Sequence, residues 1–67
     1  MIYGEAILAE RSKRRISQAD LADGLGIYKA TLVDIERGRI NIDMETYNKF
    51  TNAIIRLSED KKTEEVA

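Results

Sequence analysis

The chain has neither histidine nor cysteine among its 67 residues. The side chains most used as general bases, thiol nucleophiles and zinc ligands are therefore missing. What remains is charge and hydrogen bonding, and one run concentrates it: Tyr28-Lys29-Ala30-Thr31-Leu32-Val33-Asp34-Ile35-Glu36-Arg37. Projected at about 100° per residue, Leu32 and Ile35 define a buried side. Ala30, Val33, Asp34 and Arg37 lie opposite, flanked by Lys29 and Thr31. That outward set combines donors, an acceptor carboxylate and two small apolar surfaces. Its chemistry is recognition, not bond-making. No carboxylate pair stands in an evident pocket, and the chain is not expected to be an enzyme.

Such a face needs a scaffold that holds it outward. Just upstream, Ser17-Gln18-Ala19-Asp20-Leu21-Ala22-Asp23-Gly24-Leu25-Gly26-Ile27 reads as a helix and a tight turn. Ser17 can cap that helix, and Asp20 three residues on makes a capping-box variant. Leu21 and Leu25 give it an apolar face, and the small Ala22 lets a second helix cross closely. Gly26 provides a left-handed turn residue, where a Cβ is penalised. Ile27, Leu32 and Ile35 then bury the inner side of the next helix. The predicted elements are a first helix from Gly4 to about Arg14 with Ile7 inward, a second from Gln18 to Gly24, and a third from Lys29 to Arg37. Gly38 ends the third. After the loop Arg39-Ile40-Asn41-Ile42, Asp43 can cap a fourth helix starting near Met44. Its apolar positions Met44, Tyr47, Phe50, Ala53, Ile54 and Leu57 recur at helical spacing.

Two helices joined by so tight a turn form the unit that enters the major groove of DNA. The ordered pattern Ser17-Gln18-x-x-Leu21-Ala22, Gly26-Ile27, Leu32-x-x-Ile35-Glu36-Arg37-Gly38 resembles the lambda-repressor/Cro-type helix-turn-helix domain, the xenobiotic-response-element family. The similarity runs from about Gly4 to about Ile54. It implies a compact all-α domain of four or five helices that binds operator DNA, usually as a two-fold dimer. It also implies that Arg11 pairs with Glu36, and that Arg11, Ala22, Gly26, Leu32 and Glu36 are structural. Family members commonly break with a glycine near residues 54–58. Here no glycine follows Gly38, so the fourth helix can continue to about Ser58 or beyond. The expected division is a domain over residues 1–58 and an acidic, frayed tail over 59–67.

On that resemblance Lys29, Ala30, Thr31, Val33 and Asp34 are the candidate base contacts. Lys29 could donate to guanine O6 and N7, and Asp34 could accept from cytosine N4 while repelling phosphates. Ala30 and Val33 suit thymine methyls, although Val33 equally suits an unrelated protein contact. Gln18, Tyr28, Arg37, Arg39 and Asn41 are the candidate phosphate contacts, which position a protein without specifying sequence. Gln18 matches the family glutamine at the start of the second helix. Tyr28 stands where the family places a small N-cap, so its hydroxyl could reach a phosphate or its ring could pack over the second helix. Arg15 stands where glycine is frequent, and Ile42 where proline is common. Leu8 occupies a usually polar position; with Ile2 and Tyr3 it could extend the core or offer a surface to a partner. Ile54, Ile55 and Leu57 are the candidate dimer interface.

Composition fits these expectations without requiring them. With 11 Lys and Arg against 12 Asp and Glu, the formal net charge is −1. The distribution is uneven: Arg11, Lys13, Arg14, Arg15, Lys29, Arg37 and Arg39 gather ahead of a tail that is acidic on balance. A chain this short is one domain at most, near the lower limit for folding unaided, and dimerisation would bury further apolar surface. Without cysteine there is no disulfide framework. No apolar run is long enough for a membrane span, and no signal peptide is evident. The expected setting is a cytoplasm of prokaryotic or phage type, at the nucleoid when bound. No cofactor, metal or small-molecule ligand is indicated. The leading expectation is a homodimeric repressor on double-stranded operator DNA. The alternative is a protein-interaction module on the same fold, an antitoxin or a partner-binding regulator.

Overall fold

The computed structural model describes residues 3–66, with side chains described for 3–60. Four helices follow in order: α1 (Tyr3–Lys13), α2 (Gln18–Leu25), α3 (Lys29–Glu36) and α4 (Met44–Val66). All regular structure among these residues is α-helical. The bounds match the predicted helices to within one residue at most ends, the normal uncertainty of a fraying helix end. α4 has no break near residues 54–58, so the backbone of 59–66 continues the helix.

The core is a single cluster of Ile7, Ile16, Leu21, Ala22, Leu32, Ile35, Phe50 and Ile54. Every helix contributes, and Leu25, Ile27, Ile42, Tyr47, Ala53 and Leu57 pack around it. The 3.6-residue spacing in α2 and α3 therefore marks the true inner faces. Ile16, in the loop before α2, belongs to no periodic run, so helical spacing does not mark it as core. Met44 does not join the core despite its spacing. It sits in the first turn of α4 and is exposed. Leu8 is also exposed, so it does not extend the core. Tyr3 instead stacks on Tyr47, ring centroids 4.8 Å apart at 30°. Ile2 lies outside the described residues.

The first three helices end by one device. In each, a left-handed residue follows the last turn, and two backbone bonds close back onto the helix in a Schellman motif. At α1 the residue is Arg15 (φ 57°), with Ile16 N–H donating to the Arg11 carbonyl at 3.0 Å and Arg15 N–H to Ser12 at 3.1 Å. At α2 it is Gly26 (φ 71°), with Ile27 N–H donating to Ala22 and Gly26 N–H to Asp23. At α3 it is Gly38 (φ 79°), with Arg39 N–H donating to Asp34 at 2.9 Å and Gly38 N–H to Ile35 at 3.1 Å. Glycine adopts this conformation freely; a side chain does so at a cost. The helix starts are capped where the sequence indicated. Ser17 Oγ accepts from Asp20 N–H at 3.0 Å, and Asp43 Oδ1 from Thr46 N–H at 2.8 Å.

α1 crosses α3 very closely. A Cβ placed on Gly4 would collide with the backbone carbonyl oxygen of Ile35 and crowd the Glu36 Cα. This buried glycine sets how near the two helices can lie.

Candidate nucleic-acid interface

Three residues separate α2 from α3: Gly26, Ile27 and Tyr28. Gly26 turns the chain, Ile27 tucks toward the core, and Tyr28 opens α3 in an extended conformation (φ −73°, ψ 143°). Ala22 is buried beneath the crossing, where a larger side chain would push the helices apart. Leu32 and Ile35 anchor the inner side of α3. With that side fixed, the other must face solvent. Lys29 and Ala30 are exposed, and Thr31, Val33 and Asp34 are half-exposed. These five expected base-contact residues share the accessible side of one short helix. Arg37, Arg39 and Asn41 are exposed in and after the turn at the C-terminal end of α3.

Tyr28 makes no side-chain cap bond and is 84% exposed. Its ring therefore does not pack over α2, which removes one of the two roles considered for it. Thr31 N–H donates to the Tyr28 carbonyl at 3.0 Å, while the Lys29 and Ala30 amides receive no side-chain cap and remain open to an outside acceptor such as a phosphate oxygen.

Behind this surface, Arg11 holds Glu36 by two bonds, Nε to Oε2 at 2.8 Å and Nη2 to Oε1 at 3.0 Å. The remaining guanidinium nitrogen, Nη1, donates to the Ile16 carbonyl at 2.9 Å. The pair is largely buried, with side-chain exposures of 12% for Arg11 and 3% for Glu36. Gln18 Nε2 adds a third donor to Glu36 Oε1 at 3.0 Å. One carboxylate thus ties α1, the start of α2 and the end of α3 together. Residue types and helical spacing alone do not predict the link from Gln18. It orients the amide and still leaves one N–H and the carbonyl oxygen for an outside partner.

Asp34 also differs from the sequence reading, which treated it as a free acceptor. Its Oδ1 lies 3.4 Å from Arg39 Nη1, and the two side chains are 39% and 64% exposed. The carboxylate expected at base edges and the guanidinium expected at phosphate are thus partners within the protein. Ile54 needs correction as a dimer residue. It is fully buried among the core side chains and presents no surface to another protomer. Leu57 is half-buried and packs on the core beside Gly24, and Ile55 is half-buried.

Comparison with protein families gives a match to a helix-turn-helix model over residues 7–59, most of the chain. The chain belongs to the lambda-repressor/Cro-type helix-turn-helix family. Comparison with curated proteins and with solved structures gives no match. This helix-turn-helix family is one of DNA-binding regulators and not typically of enzymes. The matched span starts at Ile7, includes the Arg11–Glu36 pair, the α2–turn–α3 unit and Asp43, and ends one residue beyond Ser58. Among the described residues, no helix is long and apolar enough to cross a membrane.

Proposed function

We propose that the protein is a sequence-specific repressor that occupies operator DNA as a homodimer. The observation that carries the reading is the two-sidedness of α3. Leu32 and Ile35 are buried, while Lys29 and Ala30 are exposed and Thr31, Val33 and Asp34 remain accessible. Lys29 and Asp34 would read guanine and cytosine edges, and Thr31, Ala30 and Val33 would contact neighbouring bases and thymine methyls. Gln18, Tyr28, Arg37, Arg39 and Asn41 would hold phosphates on either side. Two protomers would place their α3 helices about one helical turn apart, roughly 34–36 Å. The C-terminal half of α4, through Ile55 and the uncovered part of Leu57, is the surface assigned to pairing.

Salt titration of duplex binding tests this reading. Affinity should fall linearly with salt on logarithmic axes, with a slope of about −0.9 for each phosphate neutralised. A dimer engaging six or more phosphates loses about a thousandfold between 50 and 200 mM salt. The acidic Asp34 on the accessible side of α3 favours a second reading, a module that binds a protein partner. Absence of duplex binding at low salt would select it.

A further inference from the structure

We propose that Asp34 and Arg39 form an exchange pair that sets sequence discrimination, with Asp34 acting as a specificity-determining residue through Arg39. The inference rests on the DNA-binding reading and concerns how that surface rejects wrong sequences. The last turn of α3 carries two carboxylates, Asp34 and Glu36, at the helix end where the macrodipole disfavours negative charge. Each has an arginine, but the two pairs are built differently. Arg11 grips Glu36 at two points, 2.8 and 3.0 Å, out of solvent. Arg39 touches Asp34 at one point, 3.4 Å away, in solvent. The first pair joins helices. The second joins nothing that the backbone has not already joined, because Arg39 N–H is bonded to the Asp34 carbonyl in the helix-ending motif. A loose, exposed pair of this kind adds little to stability.

Its consequence lies at a polyanion. The single contact leaves Nε and Nη2 of Arg39 free of Asp34 and open to another oxygen. When Arg39 turns to a phosphate, Asp34 loses its counterion beside the DNA backbone, where a bare carboxylate is repelled. A base edge offering an amino donor, such as cytosine N4, replaces the lost partner; an edge offering only acceptors does not. Correct sequence therefore allows both members to exchange partners together. On other sequences Arg39 either stays with Asp34 or leaves it unpaired, and nonspecific affinity is held down.

The test compares the parent, Asp34→Asn, Arg39→Gln and the double substitution. Each is titrated with salt on the best duplex selected by the parent from a random pool, and on a random-sequence duplex. Asp34→Asn should bind the random duplex roughly fivefold more tightly. Its salt slope there should steepen by about 0.9 per protomer as Arg39 is released to phosphate. The selected duplex should gain nothing, so discrimination narrows. In the Arg39→Gln background the gain on random duplex should shrink below about twofold, since a coupled pair is non-additive. Equal tightening on both duplexes in both backgrounds, the mark of a simple change in net charge, overturns the proposal. So does an unchanged affinity for random duplex. A parent that binds no duplex at low salt overturns the DNA-binding reading instead, and the exchange pair with it.

Discussion

Arg11 and Glu36 are 25 residues apart in sequence and meet in a two-point pair at 2.8 and 3.0 Å. Gln18 and the Ile16 carbonyl complete the hydrogen bonding around it. A buried ion pair is costly to desolvate and adds little net stability, but an orphaned member is worse than either. Glu36→Ala should therefore cost about 3–5 kcal/mol, much of what a domain this size possesses. Arg11→Met combined with Glu36→Met should recover a good part of that loss. Urea midpoints for the singles and the double check this. A Glu36→Ala loss below about 1 kcal/mol, the range of an exposed pair, contradicts a structural role.

The same α1–α3 crossing gives a second expectation. Alanine in place of Gly4 gains about 1 kcal/mol of helix propensity. It also drives a methyl into the Ile35 carbonyl oxygen, and the surrounding atoms are backbone that cannot rotate away. The collision should win. Gly4→Ala should lose about 1–3 kcal/mol, as overpacked sites do. Denaturant unfolding measures it, and a stabilised variant would contradict the close approach.

Arg15 is the one left-handed helix end among the three that lacks a glycine. A side chain held there costs about 1 kcal/mol or slightly more. Measured against Arg15→Ala, which removes the same side-chain interactions, Arg15→Gly should raise the Tm by about 4–8 °C, the shift that 1 kcal/mol gives in a domain of this size. Arg15→Asn should fall between, since asparagine tolerates this region better than arginine. A glycine variant that melts below the alanine variant contradicts the backbone assignment.

Asp43 links stability to pH. Hydrogen bonding from Thr46, its side chain first and its backbone N–H second, holds the Asp43 carboxyl below its ordinary value. A depressed folded-state pKa means that the stabilisation is complete above the unfolded value, near 4, and is lost as pH falls through the lower folded value. Thermal melts of the parent and Asp43→Ala should therefore differ most near neutral pH and converge toward pH 2. A gap constant from pH 6 to pH 2 would remove the charged cap from the account.

How much of this was legible in the chain depends on the range of each signal. Ser17, Gly26, Gly38 and Asp43 act on neighbours a few residues away, so their types and positions forecast the helix ends. Leu21, Leu32 and Ile35 follow helical spacing and marked the inner faces. Met44 and Ile54 obey that same spacing, yet one is exposed and the other fully buried. Periodicity gives the face of a helix but not how far its partners extend along it. Ile54, expected at a dimer surface, lies in the core for that reason. Gly4 looked like a helix start, and only the approach of α3 explains it. The Asp34–Arg39 and Gln18–Glu36 contacts depend on side-chain reach between helix ends, which residue types alone do not specify. Arg11 with Glu36 was expected only through family resemblance.

On the proposed reading, the outward side of α3 reads base edges while Arg37 and its neighbours hold the DNA backbone. Selection of bound duplexes from a random pool, run in parallel on the parent, Lys29→Ala and Arg37→Ala, tests it most directly. Lys29→Ala should lose the preference for guanine at one position in each half-site, a change of about 1–3 kcal/mol in discrimination. Arg37→Ala should keep the parent's preferred sequence, bind all duplexes more weakly, and show a salt slope shallower by about one per protomer. If Lys29→Ala selects the same sequences as the parent with undiminished preference, α3 does not read the groove through this face.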